Sequence, residues 1–140
     1  PSYGPEMRGG TANCSVCISE IPIGSPLVTN PNLLIAMNLP SLDKFINDVE
    51  PGGTVIIDSA LISKKVERTD IKVFYVPATK LAEENDVNGL ANIILVGKLF
   101  QETGFCSDEV LEKAVLKCIP PRKAAMIELN KKAIRIGMEN

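Results

Sequence analysis

The sequence contains no histidine. Because histidine is the commonest general base and a common zinc ligand, its absence removes the simplest routes to acid–base and zinc chemistry. No apolar run approaches the roughly 18 residues of a membrane span, so no membrane partner is expected. A basic surplus is also missing, since the net charge is −2 and the pI about 5.2. A nucleic-acid binder normally carries such a surplus, so no nucleic-acid partner is expected.

The cysteines are few for a disulfide scaffold. They are Cys14, Cys17, Cys106 and Cys118, in a chain of 140 residues that is well above the size of small secreted domains. We interpret them as reduced thiols of a cytoplasmic protein. Cys14-x-x-Cys17 is a weak signal, because metal and iron–sulfur sites usually need about four cysteine or similar ligands and redox pairs normally begin a helix. This pair lies in a predicted strand, so small buried hydrophobic residues are the favoured interpretation over redox or metal chemistry.

Length and composition predict a single domain over residues 1–140. Short apolar runs predict strands at 14–19, 33–37, 54–59 and 72–76. Helical spacing of apolar residues predicts helices at 41–49, 78–85, 88–103, 107–117 and 123–136, the last ending near Gly137. Residues 61–70 are polar and poorly periodic, which predicts a loop or an edge element. This order predicts an α/β fold. We expect a mostly parallel open sheet with helices packed on it, Rossmann-like, and a helical C-terminal part.

The helix predicted at 88–103 is apolar nearly all round, which is typical of a helix central to a core or buried against a partner. Gly104 is predicted to end it as a C-cap. Ser107 is predicted to cap the next helix, with acidic residues in its first turn.

Residues 2–13 are rich in glycine and polar residues. Glu6 and Arg8 lie close together and form either an acid/base pair or a salt bridge. Without histidine or a nucleophile paired to a base, a structural or interface role is favoured. Arg8 flanked by glycines suits an anion contact, although Gly9-Gly10 lead into a strand and not into the helix that phosphate loops prefer. Tyr3 suits the core or an interface.

Polar residues also follow two predicted strands, Asn38 and Ser41 after the first and Asp58-Ser59 after the second. The carboxyl ends of strands are where open α/β sheets bind ligands. Asn and Ser equally favour helix caps, and capping is the favoured role of Asn38 and Ser41. Asp58-Ser59 carries the same two interpretations.

The same residues resemble a known family, the gamma subunits of 2-oxoacid:ferredoxin oxidoreductases. The resemblance is carried by Pro1-Ser2-Tyr3-Gly4-Pro5-Glu6-Met7-Arg8-Gly9-Gly10-Thr11-Ala12-Asn13-Cys14, Ile23-Gly24-Ser25-Pro26, Leu34-Ile35-Ala36-Met37-Asn38, Ser41-Leu42-Asp43-Lys44-Phe45, Pro51-Gly52-Gly53, Val76-Pro77-Ala78-Thr79 and Ala91-Asn92-Ile93-Ile94-Leu95-Val96-Gly97. Met7 and Thr11-Ala12-Asn13 look most like the 2-oxoglutarate branch.

The resemblance implies a non-autonomous subunit of an enzyme that decarboxylates a 2-oxoacid oxidatively, passing the acyl group to coenzyme A and electrons to ferredoxin. It implies partner alpha, beta and ferredoxin-like delta subunits that carry thiamine diphosphate, Mg and iron–sulfur clusters, with no cofactor bound by this chain alone. The candidate residues near substrate, coenzyme A or an interface are Tyr3, Gly4, Glu6, Arg8, Gly9, Gly10 and Asn38. No residue is assigned a catalytic proton transfer.

The sequence departs from the family at its start, because family members open with a strand and a Gly-rich loop before the equivalent of Pro1. An exposed sheet edge is therefore expected, which favours a homodimer of the isolated chain. The alternative function is a free-standing nucleotide- or coenzyme A-binding α/β regulatory module.

Overall fold

A computed structural model describes residues 12–25 and 27–140 of the chain. Its sheet contains β1 (Leu33–Ala36), β2 (Thr54–Asp58) and β3 (Lys72–Val76). The strands are parallel and lie in the order β1-β2-β3, with Ile35 beside Ile56 and Ile56 beside Phe74. The predicted class, a parallel open sheet covered by helices, is confirmed.

The helices follow the predicted order with shifted ends. They are α1 (Leu39–Phe45), α2 (Ala78–Glu84), α3 (Ala91–Thr103), α4 (Asp108–Cys118) and α5 (Ala125–Glu139), with a 3-10 turn at Pro121–Lys123. Gly104 adopts φ 55° at the end of α3 and donates its N–H to Phe100, so the predicted C-cap is confirmed. In the part of the chain that the structure describes, no helix combines the length and the apolar character needed to cross a membrane.

The sheet separates two apolar layers, because successive side chains of a strand point to opposite faces. Val55 and Ile57 face α1 and the loop over residues 59–71, where they pack with Leu42 and Ile62. Ile56 faces the other way, into a core built by α2, α3 and α5. From Val55 to Asp58 the central strand is fully buried on both faces, which explains its continuous apolar sequence.

Helices α3 and α5 touch backbone to backbone through two glycines. A β-carbon on Gly97 would overlap the carbonyl oxygen of Ile134, and one on Gly137 would overlap that of Ile94. Gly137 therefore lies inside α5 and does not end it, which corrects the predicted boundary. The sheet and α5 supply the cover that α3 needs, so its apolar character is no sign of a partner subunit.

The predicted strand over 14–19 is wrong. Residues 12–25 form no strand or helix, and Cys14 and Cys17 are exposed free thiols. Cys118 is exposed as well and Cys106 is half-buried, so the interpretation of the Cys14/Cys17 pair as buried hydrophobic residues is also wrong. The physical reason is pairing: a strand needs a neighbour for its backbone groups, and in the described residues β1 pairs only with β2.

Helix α4 is held at the edge of the fold. None of its residues is buried, and Val110 and Leu116 remain about half exposed. Ser107 caps it as predicted, accepting a hydrogen bond from the N–H of Val110. The side chain of Lys131 in α5 donates to Glu112 of α4, which ties the two helices together.

Candidate functional site

Asn38 occupies the turn where β1 leads into α1. Its Oδ1 accepts a 2.9 Å hydrogen bond from the N–H of Ser41, and its backbone is extended as an N-cap requires. Pro40 occupies the first turn of the helix, where a missing N–H costs nothing. The favoured capping role is confirmed for Asn38 and is wrong for Ser41, which lies inside α1 and donates the N–H that Asn38 accepts. The Nδ2 of Asn38 makes no hydrogen bond to any described residue and remains a donor at the carboxyl end of β1.

Asp58 ends β2 and is completely buried. Its carboxylate accepts hydrogen bonds from the hydroxyl of Thr79 at 2.6 Å, from the N–H of Thr79 at 3.2 Å and from the N–H of Ala60 at 3.1 Å. Thr79 lies in the first turn of α2, whose N-cap, Pro77, provides no side-chain acceptor. Asp58 therefore caps α2 from the neighbouring strand. Its partners satisfy the carboxylate, and its role is structural.

A shallow cleft of about 360 Å³ opens just beyond the carboxyl ends of β1 and β3. Met37 forms the β1 side and Thr79 the α2 side, and the turn before α3 closes it. The described residues that line it are Met37, Thr79, Ala82, Glu83, Asn88, Gly89, Ala91 and Asn92. Its polar side chains are the amides of Asn88 and Asn92, the carboxylate of Glu83 and the hydroxyl of Thr79, which already donates to Asp58. The two amides suit an uncharged ligand group that donates and accepts hydrogen bonds.

The cleft lies where ligands bind in open α/β sheets. Sequence reasoning located that edge through Asn38 but missed Asn88 and Asn92. The signal was present, since Asn88-Gly89 is a turn pair just before a helix, and Gly89 adopts φ 80° there. What the sequence did not show is that this turn folds back beside the end of β1.

A second cavity of about 420 Å³ lies between α1 and the loop over 59–71. Arg68 lines this cavity. Its guanidinium donates to the carbonyls of Ile46 and Val49 and forms two hydrogen bonds with Asp70. Its hydrogen bond lowers the pKa of Asp70. Lys64 pairs with Asp43 at 2.6 Å, which raises the pKa of the lysine. Both cations hold the loop on α1, so this cavity is explained by the fold.

The remaining predicted site residues, Tyr3, Gly4, Glu6, Arg8, Gly9 and Gly10, lie outside the described residues. Across residues 12–25 and 27–140, no group of three or more Cys, Asp and Glu side chains could hold a metal ion. The described residues therefore do not fit an iron–sulfur cluster or a metal site, and no step through such a group is assigned to them.

The sequence as a whole matches the profile of one protein family. The family is described as pyruvate ferredoxin/flavodoxin oxidoreductase, and the match covers residues 1–140. The chain belongs to this family.

Relatives within the oxidoreductase family agree with that placement. The chain is 38% identical to the 2-oxoglutarate synthase subunit KorC of Methanocaldococcus jannaschii, over 85% of this chain and 65% of that protein. It is 36% identical to the ketoisovalerate oxidoreductase subunit VorA of Methanothermobacter marburgensis, over 99% of this chain and 29% of that protein. The chain thus spans no more than about two thirds of either relative.

A solved family structure has the same fold. It is the gamma subunit of a keto/oxoacid ferredoxin oxidoreductase from Geobacter sulfurreducens, with a TM-score of 0.69 at 31% identity. The match covers 77% of this chain and 62% of that subunit. The family resemblance noted in the sequence is confirmed.

Proposed function

We propose that the chain is the gamma-type subunit of a 2-oxoacid:ferredoxin oxidoreductase that acts on 2-oxoglutarate. The observation that carries this proposal is the 38% identity with a 2-oxoglutarate synthase subunit over 85% of the chain. The overall reaction is the oxidative decarboxylation of 2-oxoglutarate with coenzyme A, giving succinyl-coenzyme A, carbon dioxide and reduced ferredoxin.

The chain works as a non-autonomous part of a cytoplasmic complex. Alpha and beta subunits and a ferredoxin-like delta subunit carry thiamine diphosphate, Mg and the iron–sulfur clusters, and electrons leave to ferredoxin. Apart from the complex, the isolated chain forms a homodimer.

The role of this chain is to present a coenzyme A-facing surface. Coenzyme A combines anionic phosphates with an uncharged arm that contains two amides. The cleft offers Asn88 and Asn92 beside the apolar Met37, which suits the arm and not the phosphates. Arg8, a fixed guanidinium fork between glycines, supplies the phosphate contact. Tyr3, Gly4, Glu6, Gly9, Gly10 and Asn38 complete the proposed surface, Asn38 through its Nδ2.

The test of the site is the KM for coenzyme A in the reconstituted complex. Arg8→Ala is expected to raise it by about tenfold or more, since a charge-assisted contact is lost, while the KM for 2-oxoglutarate stays the same. Asn92→Ala is expected to raise it less, because one uncharged hydrogen bond is lost. The control is Arg122→Ala, an exposed arginine far along the chain. An unchanged KM for coenzyme A in Arg8→Ala would show that the assignment of Arg8 is wrong.

The alternative function, a free-standing regulatory module, leads to a different expected result. A free-standing coenzyme A-binding or nucleotide-binding protein would bind its ligand without partners. Calorimetry of the isolated chain with coenzyme A and with nucleotides separates the two functions. We expect no measurable binding in the isolated chain, because the site is completed by partner subunits.

A further inference from the structure

Helix α2 forms one wall of the cleft, and residues outside the helix hold both of its ends. The helix has seven residues, and helices this short are unstable on their own in water. Asp58 of β2 caps its N-terminus through Thr79. At its C-terminus, the side chain of Lys132 in α5 donates a hydrogen bond to the carbonyl of Asn85. The position of α2 is therefore fixed at both ends by other parts of the chain.

The chain leaves α2 in a tight turn that leads directly into the cleft. Asp86 adopts φ 56°, in the left-handed region, and the buried Val87 donates its N–H to the carbonyl of Ala82. This is the Schellman arrangement that ends many helices, with aspartate where glycine is usual. The next two residues, Asn88 and Gly89, line the cleft. A shift of the C-terminus of α2 would therefore carry the Asn88 amide with it.

The partner of Lys132 is a backbone carbonyl and not a carboxylate. No backbone N–H of a described residue donates to the Asn85 carbonyl, so Lys132 supplies its hydrogen bond. Among the described residues, Lys132 forms no ion pair. A cation at the C-terminus of a helix also interacts favourably with the helix dipole. The contact therefore stabilises the end of α2 at the point where the chain turns toward the cleft.

Helix α5 gives this contact a firm support. Its Gly137 lies against the backbone of α3, and Ala133, the residue after Lys132, is completely buried. The residue before it, Lys131, forms an ion pair with Glu112 of α4. Two adjacent lysines of α5 thus hold two different elements, and of the two only Lys132 holds an element that borders the cleft.

We propose that Lys132 is a positioning residue for the ligand of the cleft. Through the Asn85 carbonyl it fixes the end of α2 and the turn that follows, and so it holds the Asn88 amide in place. Lys132 is not among the described residues that line the cleft, and it acts through the turn. The inference rests on the proposed function, because the ligand is taken to be the uncharged arm of coenzyme A.

The first test is steady-state kinetics of the reconstituted complex. Lys132→Met removes the donor and keeps a long side chain that favours helix. It is expected to raise the KM for coenzyme A about two- to fivefold, the scale of one exposed contact between a cation and a helix terminus. The kcat and the KM for 2-oxoglutarate should stay the same.

Two further variants control for a general effect on the fold. Lys132→Arg keeps a donor at this position and should return the KM for coenzyme A to near the wild-type value. Lys131→Met is the matched control from the neighbouring position, since it breaks the contact with α4 and leaves the turn after α2 intact. It should not change the KM for coenzyme A.

The second test is amide hydrogen exchange of the 140-residue chain, which does not depend on coenzyme A. The N–H groups of Val87 and Leu90 donate to carbonyls of Ala82 and Val87, so their exchange reports on opening of the turn. Lys132→Met should speed their exchange about two- to fivefold and leave α4 unchanged. Lys131→Met should do the reverse, because it releases α4 and not the turn.

Unchanged exchange of the turn in Lys132→Met would overturn the proposal. So would an unchanged KM for coenzyme A in Lys132→Met when Asn92→Ala raises it, and the proposed function would then stand. If neither variant changed the KM, the placement of coenzyme A in the cleft would be wrong, and the role of Lys132 would fall with it. An equal rise in Lys131→Met and Lys132→Met would show a general loss of stability and no positioning role.

Discussion

The hydroxyl of Thr79 donates a 2.6 Å hydrogen bond to the buried carboxylate of Asp58, across the ends of β2 and β3. The backbone N–H of Thr79 donates to the same carboxylate. Since Pro77 gives α2 no side-chain cap, the cap comes from Asp58, which lies 21 positions before Thr79. A negative charge at a helix N-terminus is also favoured by the helix dipole. This contact fixes α2, and with it one wall of the cleft.

Replacing Asp58 should destabilise the fold more than an ordinary surface mutation. Asp58→Ala leaves the hydroxyl and the N–H of the half-buried Thr79 without their acceptor, whereas the N–H of the exposed Ala60 can bond to water. We expect the free energy of unfolding to fall by about 2–3 kcal/mol, because donors shielded from water are costly to leave unsatisfied. Thr79→Val removes one hydrogen bond only, and we expect a loss of about 1–2 kcal/mol.

The measurement is urea denaturation at one protein concentration, because self-association would otherwise shift the midpoint. Asp48→Ala is the control, since Asp48 is exposed and its carboxylate forms no hydrogen bond or ion pair with any described residue. If Asp58→Ala were as stable as Asp48→Ala, the capping account of Asp58 would be incorrect.

The close crossing of α3 and α5 predicts that alanine is not tolerated at its two glycines. The added methyl group of Gly97→Ala or Gly137→Ala would overlap a carbonyl oxygen of the facing helix. The helices would have to separate, and we expect each variant to lose about 3 kcal/mol of unfolding free energy, at the upper end of the usual range for overpacking.

Gly24→Ala provides the comparison, because a β-carbon there would meet no atom within 4 Å. Thermal unfolding followed by circular dichroism gives the ranking. Equal melting temperatures for Gly97→Ala and Gly24→Ala would mean that the helices do not cross as closely as described.

The attachment of α4 to α5 should depend on pH. The hydrogen bond from Lys131 lowers the pKa of Glu112, and the same contact raises the pKa of Lys131. A lowered carboxyl pKa gives stability that is present above the unfolded-state pKa and is lost as the pH falls through the folded-state pKa. A raised lysine pKa gives stability that is lost as the pH rises through its folded-state value. The contact is therefore complete between about pH 5 and pH 10.

A difference experiment isolates this pair. The melting temperature of the wild type should exceed that of Glu112→Gln at neutral pH, and the gap should close below about pH 4. The control is Glu50→Gln, because Glu50 is exposed, lies outside the helices and forms no ion pair with a described residue. A gap that stays constant from pH 7 to pH 3 would argue against the ion pair.

The parts of this fold that could be predicted from sequence are those determined by residues close together in the sequence. Asn38 and Ser107 cap helices that begin within three residues of them, and Gly104 ends α3 through its own backbone conformation. The buried strand 54–58 was visible because burial on both faces leaves a continuous apolar run. Each feature depends on a few adjacent residues, and so does its signal.

The parts that were missed depend on residues far apart in the chain. From the sequence, Gly137 is predicted to end a helix, because its close contact with Ile94 of α3 exists only in the folded chain. Asp58 and Thr79 give no joint signal, because their contact exists only once β2 and β3 lie side by side. The 14–19 segment has strand composition, but strand formation requires a paired edge that the described chain does not give it. The cleft likewise appears only when the turn before α3 packs beside β1.

The central claim is that this chain completes a 2-oxoglutarate:ferredoxin oxidoreductase. The direct measurement is coenzyme A-dependent reduction of ferredoxin by the partner subunits, with and without the chain, on 2-oxoglutarate, 2-oxoisovalerate and pyruvate. The account predicts that activity requires the chain and that kcat/KM is highest for 2-oxoglutarate. Full activity without the chain, or a higher kcat/KM for either of the other two acids, would contradict it.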